Sequence, residues 1–245
     1  MPPNNPTRPI DPPSIAAAIK KLYEEAEILP PSATSCITHL NELLSSYNLT
    51  VTEIPHLTSQ TAMNFLLQRG AILEPVIYTN QDPLAGFLYV NSLSGSVFVE
   101  QKDLVVRRRF SAAHELGHYL LHFRPLIESG AGDMEQSILE MTEALPTAIE
   151  DTEPDMLPQG KIELHSDLLQ FLPPFEQMEH EANRFAAELL MPSDVLLELV
   201  TKYAPDFQGE DLVWRLSTEM LVSQATMRWR LHGLGLMPRP MVQWN

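Results

Sequence analysis

Cysteine is almost absent. Cys36 is the only one in 245 residues, which excludes an intrachain disulfide and any cysteine-rich metal cluster. No apolar run approaches the roughly 18 residues that a membrane-spanning helix needs. The opening MPPNNPTRPIDPP lacks the basic and apolar regions of a secretory signal. From these absences we expect a soluble, cytoplasmic protein with no membrane partner. Positive charge is scarce as well: 16 Lys and Arg stand against 32 Asp and Glu, a formal charge of −16. Such a field repels phosphate backbones, so direct DNA binding is not expected. What is plentiful is apolar material, 44% of the chain, enough to bury a sizeable core.

The acidity is concentrated. Leu126 to Met178 holds twelve acidic residues and a single basic one, Lys161, a net −11. That stretch is also interrupted by Pro146, Pro154, Pro158, Pro173 and Pro174, so it reads as an insertion, with room for a short helix over Met134 to Leu145. Residues 1–13 read as a disordered arm, 14–192 as the main domain carrying the 126–178 insertion, and 193–245 as a helical C-terminal subdomain. Helical periodicity is expected over Ser14 to Ala26, Ser35 to Tyr47 and Gln60 to Arg69, the last closed by Gly70. Leu49 to Ile54 alternates like a strand. Leu84 to Asn91 and Ser96 to Gln101 read as a hairpin joined by Ser92-Leu93-Ser94-Gly95. A helix follows from about Val106 to His122 or Phe123, ended by Pro125. Helical patterns resume over Glu179 to Leu190, restart with Ser193 as N-cap, and continue over Glu210 to Met220 and Ser223 to Leu234.

The central feature is His114-Glu115-Leu116-Gly117-His118 on a predicted helix. Residues four apart share a helix face, so both imidazoles can reach one ion, with Glu115 to the side as base for a water. A catalytic zinc site usually has three protein ligands and one open position. His122, a further turn along, reads as a neighbour of the site. The better third ligand lies in Glu179-His180-Glu181-Ala182-Asn183. On a helical wheel Glu179 shares a face with Ala182, Asn183, Ala186 and Leu190, whereas Glu181, Arg184 and Glu188 fall on an opposite, solvated face. Asn183 is placed to hydrogen-bond a ligand and fix its orientation.

Arg109 through His122, Glu179 through Asn183, Phe185-Ala186-Ala187, Leu189 through Pro192, and the ending Arg230 through Gly235 resemble the ImmA/IrrE family of bacterial metallopeptidases. The resemblance runs from about Leu84 to Met237 and implies a thermolysin-like third ligand, Glu179. It also implies a protein substrate, a transcriptional repressor of the Xre type whose cleavage switches on stress, DNA-damage or mobile-element genes. The chain departs from the family pattern in the separation of His118 and Glu179, which lie 61 positions apart.

The other candidates carry less. Arg107-Arg108-Arg109 reads as a solvated basic patch. His39, His56, His165, His180 and His232 have no partner at ligand spacing, and only His165 and His180 are kept as oxyanion donors. Arg215, Arg228 and Arg230 on the C-terminal helices make a weak footprint for nucleic acid, while Trp214, Met220, Leu221, Trp229 and Leu231 read as packing residues. The expected fold is α+β: a thermolysin-like minimal core with a small, mostly antiparallel sheet partly from residues 84–101, two metal-site helices and a helix-turn-helix-like C-terminal subdomain. A free sheet edge would take up substrate as an added strand. The expected activity is zinc-dependent endopeptidase, with Glu115 catalytic, His114, His118 and Glu179 on the metal, and manganese a possible substitute for zinc. The competing reading is a non-catalytic regulator or interaction module with a structural metal site. Glu115 argues against it, because a purely structural site needs no general base.

Overall fold

The period-two runs become strands of one sheet. The computed structural model describes residues 12–70, 82–90, 94–129, 139–144, 162–163 and 172–237. Five strands, β1 (Leu49–Ile54), β2 (Leu84–Val90), β3 (Gly95–Glu100), β4 (Leu139–Ala144) and β5 (Ile162–Glu163), lie in the order β1-β3-β2-β4-β5. β1 runs parallel to β3, and every other pairing is antiparallel. β2 and β3 pair as the expected hairpin, Val90 opposite Gly95, though 91–93 of its turn lie outside the described residues. The sheet is larger than residues 84–101 suggest, and its edges are β1 and β5.

β2 and β3 are covered on both faces, so strand alternation there sorts side chains between two apolar clusters rather than between core and water. Leu88, Val90, Val97 and Val99 point into the larger cluster. Phe87, Tyr89 and Phe98 point into a smaller one with Ala62, Met63 and Leu66, the buried face of α3 (Ser59–Gln68). Fully burying each such side chain contributes about 1.5–3 kcal/mol. α3 starts at a reciprocal cap: Thr58 Oγ1 accepts from Thr61 N, and Thr58 N donates to Thr61 Oγ1 at 2.8 Å.

α1 (Pro12–Ala26) and α2 (Leu40–Ser46) pack on the larger cluster through Ile15, Leu22, Leu40, Leu43 and Leu44. The helix expected over Ser35 to Tyr47 is thus shorter. Thr38 is drawn away to donate to the Leu189 carbonyl at 2.8 Å, and Ser32 and Ser35 form a bridge. Below them lie α4 (Val105–His118) and α6 (Phe175–Leu190). Gly117 sets their separation: a Cβ there would sit 3.0 Å from Phe185 Cδ1 and 3.2 Å from Ala182 Cα. Only glycine lets the two helices approach this closely along the His118 turn.

Pro125 does not end the helix. α4 passes into a π turn, Tyr119–Phe123, and then into α5 (Arg124–Ser129). Proline lacks an N–H and crowds the carbonyl four residues back, and the wider turn accommodates it at the second position of a new helix. The short helix expected over Met134 to Leu145 is instead β4 from Leu139 onward, because the open side of β2 offers its backbone a full ladder.

The C-terminal helices are α7 (Ser193–Tyr203), α8 (Glu210–Met220) and α9 (Gln224–Gly233). Ser223 caps α9 by accepting from Thr226 N at 3.0 Å. Ser193 is the first residue of α7 rather than its cap, since its hydroxyl is turned to Glu188. Met220 and Leu231 are buried, but Trp214 is 53% exposed and Leu221 is exposed too, so these two are not packing residues. No helix among the described residues is long and apolar enough to cross a membrane.

Candidate metal centre

α4 and α6 bring His114, His118 and Glu179 together. One ligand atom from each lies within 4.8 Å of the others, a grouping that could hold a metal ion. His114 Nε2 is 2.7 Å from His118 Nε2. Glu179 Oε1 lies 3.1 Å from His118 Nε2, and Glu179 Oε2 lies 3.4 Å from His114 Nε2. All three side chains are buried.

The hydrogen bonds behind the cluster decide what its inner atoms are. His114 Nδ1 lies 3.0 Å from Asn183 Oδ1, an acceptor, so Nδ1 carries the proton and Nε2 a lone pair. On the other side, Glu181 Oε2 accepts from His122 Nε2 at 3.0 Å. A neutral His122 then has its lone pair on Nδ1, which accepts from His118 Nδ1 at 3.2 Å. His118 Nε2 is therefore also a lone pair. Burial, reinforced by His114, pushes the His118 imidazole down to about 3, so it is neutral near pH 7. Burial would raise the Glu179 carboxyl, but the positive charge of His114 and His118 in their protonated form outweighs it and holds the carboxyl below the usual carboxylate range, a pull that a bound cation would supply once both rings are neutral. Two imidazole lone pairs and a carboxylate thus converge in a buried pocket, with Glu179 Oε2 accepting no hydrogen bond among the described residues. These are the protonation states a divalent cation requires of its ligands, and the residues fit one.

Glu115 is buried beside this cluster on α4, against β2. A Cβ on Gly86 would lie 2.5 Å from Glu115 Oε1, so the bare backbone of Gly86 forms the seat of that carboxylate. Gly86→Ala is expected to displace Glu115, lowering any metal-dependent turnover at least about tenfold while bound-metal content stays at the wild-type level. Overpacking of this kind also costs about 1–3 kcal/mol of stability. Turnover, metal analysis and a thermal melt of the purified variant check this.

Residues 76–144 and 160–232, more than half of the chain, match the IrrE N-terminal-like domain, a peptidase family. The chain belongs to that family. No curated protein matches it significantly. The IrrE-like match breaks only at 145–159, so the part of the acidic stretch foreign to the family is narrower than 126–178, and β4 and β5 flank it inside the matched domain. The metallopeptidase assignment and the three-residue cluster are mutually consistent.

Three expectations need correction. Glu181 is not solvated but 2% exposed, because α6 is enclosed on more than one side and its second face meets the π turn. Glu188 is half-buried and pairs with Arg230. The arginine run is no free patch: Arg107 pairs with Asp103 at 3.2 Å, Arg108 with Glu53, and Arg109 donates to the Thr38 carbonyl at 3.2 Å. Sequence reasoning also passed over Gly86 and the His122–Glu181 pair. The signals available were the four-residue step from His118 to His122 and the second acid two positions after Glu179. His180 is exposed, and His165 lies outside the described residues.

Proposed function

We propose that the chain is a zinc-dependent endopeptidase of thermolysin-like type, in which His114, His118 and Glu179 hold the metal and Glu115 is the general base. The observation that carries this reading is the convergence of two histidine lone pairs and a carboxylate beside Glu115 in a metallopeptidase-family chain. Bound zinc supplies Lewis-acid polarisation of the scissile carbonyl and acidifies a water, and manganese could serve in its place. Glu115 takes the proton from the attacking water and passes it to the departing amine. Asn183 keeps the His114 ring turned, and Gly86 keeps Glu115 in line.

The substrate we infer is a cytoplasmic repressor of the Xre type, cleaved to switch on stress or mobile-element genes, with residues 14–192 forming the catalytic domain and the helices after 193 a helix-turn-helix-like docking subdomain. Those helices use their arginines internally: Arg228 pairs with Glu210 at 2.7 Å, Arg215 with Glu219, and Arg230 with Glu188. Such an engaged surface suits a protein partner better than a phosphate backbone. Incubating the zinc-loaded protein with the product of a neighbouring Xre-like gene tests the proposal. Cleavage that stops with chelator and returns with zinc is expected, and cleavage indifferent to chelator would refute it.

A further inference from the structure

His122 and Glu181 are buried polar residues outside the metal cluster, and they form the inner half of a continuous chain. Gln177 Nε2 donates to Glu181 Oε1 at 2.9 Å, His122 Nε2 donates to Glu181 Oε2 at 3.0 Å, and His118 Nδ1 donates to His122 Nδ1 at 3.2 Å. Both carboxylate oxygens of Glu181 are therefore used, by groups on different elements, the π turn and α6. We propose that His122 and Glu181 are positioning residues that hold His118 in the tautomer and ring orientation needed to bind the metal. The inference rests on the metal-site reading above.

The argument is one of proton placement. A carboxylate only accepts, so it fixes the His122 proton on Nε2. His122 can then only accept at Nδ1, which fixes the His118 proton on Nδ1 and its lone pair on Nε2. Metal-bound histidines commonly donate their second N–H to a carboxylate or carbonyl, which orients the ring and raises its basicity. Here an extra imidazole lies between ligand and carboxylate, so the influence of Glu181 reaches the ion through two rings. Asn183 performs the corresponding task for His114 in one step. The alternative is that the pair merely fills space between the π turn and α6. A buried ionisable pair is a poor device for that purpose, since apolar residues of similar volume are commonly as stabilising or more so.

That contrast supplies the test. In the double variant His122→Phe with Glu181→Leu, both polar partners leave together, and only the His118 Nδ1–H and the Gln177 amide lose an acceptor. The metal-free protein is expected to keep its far-UV spectrum and to unfold cooperatively. Its zinc affinity, measured on the full chain by competition with a chromophoric chelator, is expected to fall about 10- to 100-fold, and the visible band of its cobalt(II) form to shift. Glu181→Gln retains the shape and can still accept from His122, but removes the charge. For it we expect roughly tenfold weaker zinc, the low end of that range. Wild-type zinc affinity and cobalt spectrum in either folded variant would overturn the inference. Failure of the wild-type chain itself to bind zinc would overturn the metal-site reading, and the inference with it.

Discussion

Glu115→Gln is expected to lower peptide cleavage by about 10²–10⁴-fold while zinc content remains that of the wild type. The amide has the volume of the carboxylate and can occupy the same seat over Gly86, but it cannot take a proton from water. Glu115 is not one of the three residues in the metal cluster, so the substitution separates chemistry from metal binding. At about 1.36 kcal/mol per factor of ten, the loss corresponds to roughly 3–5 kcal/mol of transition-state stabilisation. Single-turnover cleavage together with metal analysis decides it. A variant that cleaves at the wild-type rate would remove Glu115 from the mechanism.

Loss of any one ligand should have the second large effect. His114→Ala, His118→Ala and Glu179→Ala are each expected to leave the purified protein without zinc and without activity. Added zinc should no longer raise the melting temperature, whereas the wild type gains about 2.7 kcal/mol when zinc is present at a hundred times its dissociation constant. The metal-free proteins should differ far less, because two lone pairs 2.7 Å apart and a nearby carboxylate repel one another in the wild-type pocket, and relief of that repulsion offsets part of the cavity that each truncation leaves. Calorimetry with and without zinc measures both effects, and variants that bind zinc normally would show that the cluster is not the metal site.

The parts of this molecule that the sequence announces are those governed by local rules. Helical spacing puts His114 and His118 on one face, period-two alternation marks β2 and β3, and wheel geometry selects Glu179. The failures share a cause as well. A helical wheel places Glu181 in water because it distinguishes only one buried face, and α6 has more than one. Leu139 to Ala144 has no strong strand pattern of its own and becomes β4 because β2 presents an unpaired side, a condition set by residues about fifty positions earlier. Pro125 carries a strong stop signal, yet the π turn before it absorbs the clash. Tautomers of His118 and His122 depend on partners 59 residues apart, and no reading of a single segment could supply them.

The burial of the three donors has a kinetic side. His114, His118 and Glu179 have side-chain exposures of 0–1%, so neither an ion nor a chelator can touch them in this conformation. Exchange of a metal held by them would wait for the α4 and α6 region to open locally, a process with its own free energy and rate. Below a certain chelator concentration, removal of the proposed metal would follow encounter, and above it the rate would level off at the rate of opening. Its residence time would then be a property of how tightly Gly117 and Ala182 keep the two helices together, as much as of the bonds to the ion.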